Sequence, residues 1–266
     1  MMMARAHGIV LKKKHGQHFL KDQSVVDTMI GAVTLDPATW VLEIGCGDGF
    51  LTRSILNQTI AGLWVFEIDP EWADYVQEHY PDPRLHVFQD NILDVNWARL
   101  AEGSPAWTIL SNLPYSVTFP ILRLFKEHRQ LITEGVVMVQ EEVAEKLLKT
   151  EGRKYGFISL YFQHYFEWQP LTKIPPTAFF PPPKVTSRLL YFKPRAVVDQ
   201  IPDEEQFWRF IKICFSSPRR TLRNNLKQTH YDLSGVAEAL LDLRAQQMRK
   251  DDLLALWQEL RVQQAG

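Results

Sequence analysis

Val41-Leu42-Glu43-Ile44-Gly45-Cys46-Gly47-Asp48-Gly49-Phe50 is the stretch that decides the fold. The apolar run Trp40 to Ile44 reads as a short buried strand, the three glycines as a sharp turn, and Phe50 to about Leu56 as a helix. Glycine lets the chain turn tightly and lets a ligand approach the backbone with no Cβ in the way. A second apolar strand, Leu63 to Phe66, ends at Glu67-Ile68-Asp69. That acid lies about 20 residues beyond the glycines, where a nucleoside-binding unit places the carboxylate that accepts ribose hydroxyls.

Two kinds of enzyme share this unit, dinucleotide oxidoreductases and S-adenosylmethionine enzymes. The spacing here is G-x-G-x-G, so the third glycine that aids close helix packing in the dinucleotide fold is displaced. A sulfonium ligand is cationic and brings no pyrophosphate, so the nearby acids Glu43 and Asp48 are tolerable. The pattern favours S-adenosylmethionine.

Outward from this unit the alternation continues. Asp22 can cap a helix through Val25, Val26, Met29 and Ile30, closed by Leu35-Asp36-Pro37. Pro70 opens a helix with Trp72, Val76 and His79, and a third strand, Leu85 to Phe88, ends at Asp90-Asn91. An acid there can accept the amino group of a cofactor adenine. Trp107 to Leu110 and Val136 to Val139 are the fourth and fifth strands, the latter followed by a helix from Glu141 to Lys149.

After Gly152 the pattern changes. Phe157 to Phe166 and Ser187 to Phe192 read as two β-rich runs with no clear helix between them. Five parallel strands closed by an antiparallel pair predict an α/β, Rossmann-like class I methyltransferase with a seven-stranded sheet over residues 1–194. The helical spacing of Phe207, Phe210, Ile211, Cys214 and Phe215, and of Leu253, Leu254, Trp257 and Leu260, predicts a small all-helical accessory domain over residues 195–266.

The fourth strand delivers Ser111-Asn112-Leu113-Pro114-Tyr115 to the sheet edge where open α/β proteins keep ligands. This group suits methylation of an exocyclic amine. Such a nitrogen is a poor nucleophile until its hydrogens are held out of the ring plane. Asn112 can accept one N–H, a carbonyl beside Pro114 can accept the other, and Tyr115 can stack on the base, so positioning replaces a strong base. On the proline-flanked loop, either Phe179 or Phe180 can cover the base opposite Tyr115 while the other plugs the core.

Composition narrows the class. The 266 residues are 45% hydrophobic and 23% charged, with no apolar run near the roughly 20 residues of a membrane span. Met1 to Leu20 lacks the apolar core of a secretory signal and, though basic, runs straight into motif residues, so a cytoplasmic location is expected. Cys46 and Cys214 form no paired motif and the eight histidines are scattered, so neither a disulfide framework nor a metal site is expected. The net charge is -1, yet Arg5, Lys12, Lys13, Lys14 and Lys21 share an acid-free start, and Arg219, Arg220, Arg223 and Lys227 form a second basic cluster. Such local patches on an acidic body can follow phosphates.

These motifs together resemble the KsgA-type ribosomal RNA adenine dimethyltransferases, over nearly the whole chain. The resemblance rests on GQHFL at Gly16 to Leu20, LEIGCGDGFLT from Leu42, FEIDP from Phe66, QDNIL from Gln89, SNLPYSV from Ser111, PPTAFFPPPKVTS from Pro175 and RRTLRNNL from Arg219. It implies transfer of methyl groups from S-adenosylmethionine to N6 of two adjacent adenines in the terminal hairpin loop of small-subunit ribosomal RNA; no membrane partner is expected, and a monomer is the default. It places cofactor contacts on His18, Leu20, Gly45, Glu67, Asp90 and Asn112. Asn112, Leu113 and Pro114 would position N6, with Tyr115 and Phe179 sandwiching the base. Three positions depart from the family pattern: His18 stands for a usual Asn, Glu141 for a usual Lys, and Phe180 doubles the aromatic. The rivals are an Erm-type enzyme acting on large-subunit RNA and a non-catalytic assembly or transcription factor keeping the fold.

Overall fold

The computed structural model describes residues 5–12, 17–97, 100, 106–227 and 229–264. Lys13, Lys14 and Gly16 of the basic start lie outside the described residues. Two compact units divide the chain, one from residues up to 144 with 167–194, the other from 145–166 with the residues after 194. The second unit thus takes in 145–166 as well as the residues after 194.

The first unit is built on a seven-stranded sheet. Its strands are β1 (Trp40–Ile44), β2 (Gly62–Phe66), β3 (Leu85–Phe88), β4 (Trp107–Asn112), β5 (Ile132–Gln140), β6 (Phe166–Ile174) and β7 (Ser187–Pro194), in the order β3-β2-β1-β4-β5-β7-β6. The pairs among the first five strands are parallel, and β7 runs antiparallel to β5. The near-continuous apolar text of β1, β2 and β4 follows from burial on both faces. Chain order reverses between β1 and β4, which opens a crevice beyond their carboxyl ends. Their ladder stops at Leu42 opposite Ile109, and beyond it the buried Ser111 hydroxyl donates to the Ile44 carbonyl at 2.7 Å.

Four helices alternate with these strands: α1 (Gln23–Gly31), α2 (Phe50–Leu56), α3 (Pro70–His79) and α4 (Thr118–Glu127). Asp22 caps α1 by accepting from the Ser24 amide at 3.0 Å, and α3 begins with Pro70 behind the N-cap Asp69. Met29, Ile55 and Val76 from three of these helices join Val41, Leu63 and Val65 of the sheet in one buried cluster. Each such side chain contributes about 1.5–3 kcal/mol by leaving water. A fifth helix, α5 (Glu141–Leu148), follows β5.

One expected strand is a helix. Phe157–Tyr165 forms α6, and the strand begins only at Phe166. The aromatic and β-branched content of the segment favours a strand. Ser159, Leu160, Phe162, His164 and Tyr165 are nevertheless all buried, and a helix covered on most sides carries no amphipathic period to read. Ser159 fixes its start, with Oγ accepting from the Gly156 amide at 3.2 Å and donating to the Lys146 carbonyl at 2.6 Å. β6 then runs through polar residues and Pro170 as the edge strand, where a missing N–H is harmless.

The second unit contains α6, α7 (Glu204–Cys214), α8 (Leu222–Leu226), α9 (Glu238–Leu241) and α10 (Lys250–Gln264). Phe207, Phe210, Ile211, Cys214, Phe215, Leu253, Trp257 and Leu260 are buried, as their spacing predicts, whereas Leu254 is only half-buried. The Trp208 indole donates to the Tyr165 hydroxyl at 2.8 Å. No helix among the described residues is long and apolar enough to cross a membrane.

Candidate active site

The crevice at the carboxyl ends of β1 to β4 is a cavity of about 260 Å³. Each strand sends one loop to it: the glycine turn after β1, Glu67 and Ile68 after β2, Asp90 after β3, and Asn112 to Tyr115 after β4, while residues 17–20 close one side. His18, Leu20, Gly45, Glu67, Asp90, Asn112, Leu113, Pro114 and Tyr115 therefore meet in one cleft.

The glycines do more than admit a ligand. Gly47 has φ +52° and Gly49 φ +75°, both left-handed. A Cβ on Gly47 would lie 2.6 Å from the Phe19 ring, and one on Gly49 2.3 Å from the Tyr80 ring. The turn is thus packed on its outer side by aromatic rings, which no spacing rule reveals. Glu67 is held by backbone donors, accepting from the Gly47 amide at 3.2 Å and the Asp69 amide at 2.9 Å. Burial raises its pKa, against the pull of those bonds. A carboxylate so fixed can take two hydroxyls of a ribose.

Glu43 is buried beside it and accepts from the Thr52 hydroxyl at 2.7 Å. Burial pushes its pKa up to about 8, and the nearby charges of Glu67 and Asp48 act in the same direction. This concentration of acids is a poor cradle for pyrophosphate and suits a cationic sulfonium. It also keeps Cys46 unreactive: the buried thiol's pKa lies well above its ordinary value.

The N-terminal segment is tied to the same loops. Lys12 pairs with Asp69 at 2.6 Å and with Glu71 at 2.7 Å, and Gln17 donates to Asp69 at 3.0 Å. Burial alone would raise the Asp69 pKa, but the bonds from Lys12 and Gln17 hold it below the usual range. Lys12 is therefore spent on an internal pair and is not a free phosphate contact. Arg223 is likewise drawn to Glu238 and Asp242, whereas Arg219 and Arg220 stay exposed. Glu141 receives two bonds from Arg188, at 2.7 and 2.8 Å, and a contact from Lys173 at 3.2 Å, which fixes it in place and lowers its pKa.

Asn112 donates through Nδ2 to the His18 carbonyl at 3.5 Å and lines the cleft. The Pro114 carbonyl is already bonded by the Val117 amide at 3.1 Å and the Thr118 hydroxyl at 3.2 Å. Leu113, beside Asn112, also lines the cleft, and the residues alone leave open which carbonyl near Pro114 serves as the second acceptor. The Tyr115 hydroxyl shares a 2.5 Å bond with Ser187, and its ring lies near-parallel to that of His18, 27° apart with centroids at 6.3 Å. His18 Nδ1 sits 2.7 Å from the Pro181 carbonyl and must carry the proton to donate there.

Phe179 is the site residue that the cleft does not receive. Phe19–Leu20 pairs antiparallel with Phe179–Phe180, Leu20 opposite Phe179 and Phe19 opposite Phe180. Successive residues of a strand point to opposite faces. Phe179 is accordingly 1% exposed in the sheet's core cluster, and Phe180 is 45% exposed. Ile68, 51% exposed at the cleft, is a lining residue that sequence reasoning missed; its only signal is an aliphatic residue between two acids at a strand end.

Glu43 gives a pH test. Its pKa is higher folded than unfolded, so its contribution favours folding at low pH and fades as pH rises through about 8. In paired thermal melts, the Glu43→Gln variant is expected to gain on the parent between about pH 5 and pH 8 and to gain no further above that. A difference that does not change with pH would remove Glu43 as the titrating group.

A sequence model described as ribosomal RNA adenine dimethylase matches residues 9–260. A protein of Syntrophotalea carbinolica named ribosomal RNA small subunit methyltransferase A is 37% identical over 250 residues, 92% of each chain. A protein of the same name from Chlorobium luteolum is 36% identical, covering 97% of this chain and 93% of its own. A dimethyladenosine transferase structure from Plasmodium falciparum superposes with a TM-score of 0.76 at 21% identity, over 92% of this chain and 98% of that one. The 23S rRNA methyltransferase ErmE does so at 0.69 and 23% identity, over 91% and 99%. The two structures share the fold, and the sequence matches go further: this chain belongs to the ribosomal RNA adenine dimethylase family.

Proposed function

We propose that this chain transfers methyl groups to N6 of two adjacent adenines in the 3'-terminal hairpin loop of small-subunit ribosomal RNA, using S-adenosylmethionine. The carrying observation is the pair of acceptors at the end of β4, the Asn112 side-chain oxygen and the Leu113 carbonyl, above a glycine turn flanked by acids. The names of the curated relatives support the small-subunit substrate.

When bound, the cofactor supplies a methyl group on a cationic sulfur. Glu67 would hold its ribose, Asp90 its adenine amino group, and His18, Leu20, Gly45 and Asn112 the rest. The chain's own part is positioning. Two acceptors held by backbone and by neighbouring bonds take the two N6 hydrogens, which turns the nitrogen lone pair out of conjugation. Tyr115, anchored through Ser187, offers a ring for the base to stack on. The loop adenine is unpaired, so extracting it costs little. In the helical unit, Arg219 and Arg220 are the arginines of the basic run left to reach RNA phosphates. The chain would act in the cytoplasm, where small subunits are assembled.

Asn112→Ala is expected to lower transfer by about a hundredfold or more while RNA binding persists, since one of two positioning acceptors is gone. Unchanged turnover would defeat this mechanism. Replacing Arg219 and Arg220 together by Ala should weaken RNA binding and flatten its dependence on salt, measured by titration at several ionic strengths. If the slope stays the same, phosphate contact lies elsewhere.

A further inference from the structure

The large apolar side chains left exposed among the described residues are Ile68, Phe180, Val185 and Val197. Ile68 belongs to the cleft, and two of the others share one loop beside it. That loop is held in place. Phe180 is paired across from Phe19, and the next carbonyl, of Pro181, takes the 2.7 Å bond from His18. Three consecutive prolines, Pro181 to Pro183, stiffen the chain, and Lys184 stands exposed between them and Val185. Tyr115 stacks near His18, and His18 bonds the carbonyl of Pro181, the residue after Phe180, so the cleft and this loop are connected.

We propose that Phe180 is a second base platform, on which the neighbouring adenine stacks while the first occupies the cleft. This rests on the functional reading above. If two adjacent adenines are substrates, drawing one into the cleft strips its neighbour of a stacking partner. A flat exposed ring on a rigid loop next to the cleft replaces that partner, and a cation beside it meets the backbone phosphate, the combination that single-stranded nucleic acid requires. The burial of Phe179 assigns this role to Phe180, because the alternation of a two-residue strand presents only one of them outward. The occupant is an unpaired RNA base, since an exposed aromatic, with an exposed lysine four residues on along the same loop, bonded to a cleft residue through Pro181, matches both its ring and its charge.

Steady-state methylation of small ribosomal subunits lacking the modification tests this, with cofactor calorimetry and thermal melts as controls. Phe180→Ala should raise KM for subunits about tenfold to a hundredfold and leave cofactor affinity and melting unchanged. Phe180→Trp should stay near the parent, and Phe180→Leu, apolar but without a flat ring, should fail as Ala does. Full activity of the Ala variant would overturn the platform while leaving the functional reading intact. Full activity of the Leu variant would mark an apolar protein contact and overturn stacking. If the parent itself transfers no methyl to the subunits, the functional reading falls first and this inference with it.

Discussion

The hydrogen bond from the Ser111 hydroxyl to the Ile44 carbonyl, buried and 2.7 Å long, is the tie on which the site depends. β1 and β4 part company after Leu42 and Ile109, as strands must at a switch point if a crevice is to open. Without a clasp, the glycine turn on one strand and the Asn-Leu-Pro-Tyr corner on the other would be placed independently. Ser111 spans the opening and fixes one relative to the other. Its loss would also leave a carbonyl unsatisfied in the core, at a cost of about 1–3 kcal/mol. Donor and acceptor in a methyl transfer have to be aligned closely, so this tie belongs as much to catalysis as to stability.

Elsewhere the chain pairs several of its charges internally. Lys12 is neutralised by Asp69 and Glu71, Arg188 and Lys173 by Glu141, and Arg223 by Glu238 and Asp242. These pairs join segments distant in sequence, while Lys21, Lys149, Lys184, Arg219, Arg220 and Lys227 stay exposed. Such pairing fits a net charge of -1 and a chain that is not broadly basic.

The sheet and most of the cleft were legible in the sequence because each strand announces itself by an apolar run and then delivers one chemical group at its end. Phe50–Leu56 and Leu85–Phe88 have the bounds their apolar pattern predicts. Three features were not legible, each for a physical reason. Phe157–Tyr165 is buried on most sides, so strand-like composition masked a helix. Phe179 and Phe180 are chemically identical, and only the register against Phe19–Leu20 decides which faces the core. Which carbonyl near Pro114 is available depends on bonds from Val117 and Thr118 that no local pattern specifies. Tertiary pairing settles all three.

The central claim is that the acceptors at Asn112 and Leu113 act on adenines of small-subunit RNA. Mass spectrometry of ribosomal RNA, after purified small and large subunits have been incubated separately with the protein and S-adenosylmethionine, tests it most directly. The account predicts N6-dimethylated adenine at two adjacent positions in the terminal hairpin loop of the small-subunit RNA and none in the large-subunit RNA. Methylation confined to the large-subunit RNA would contradict it.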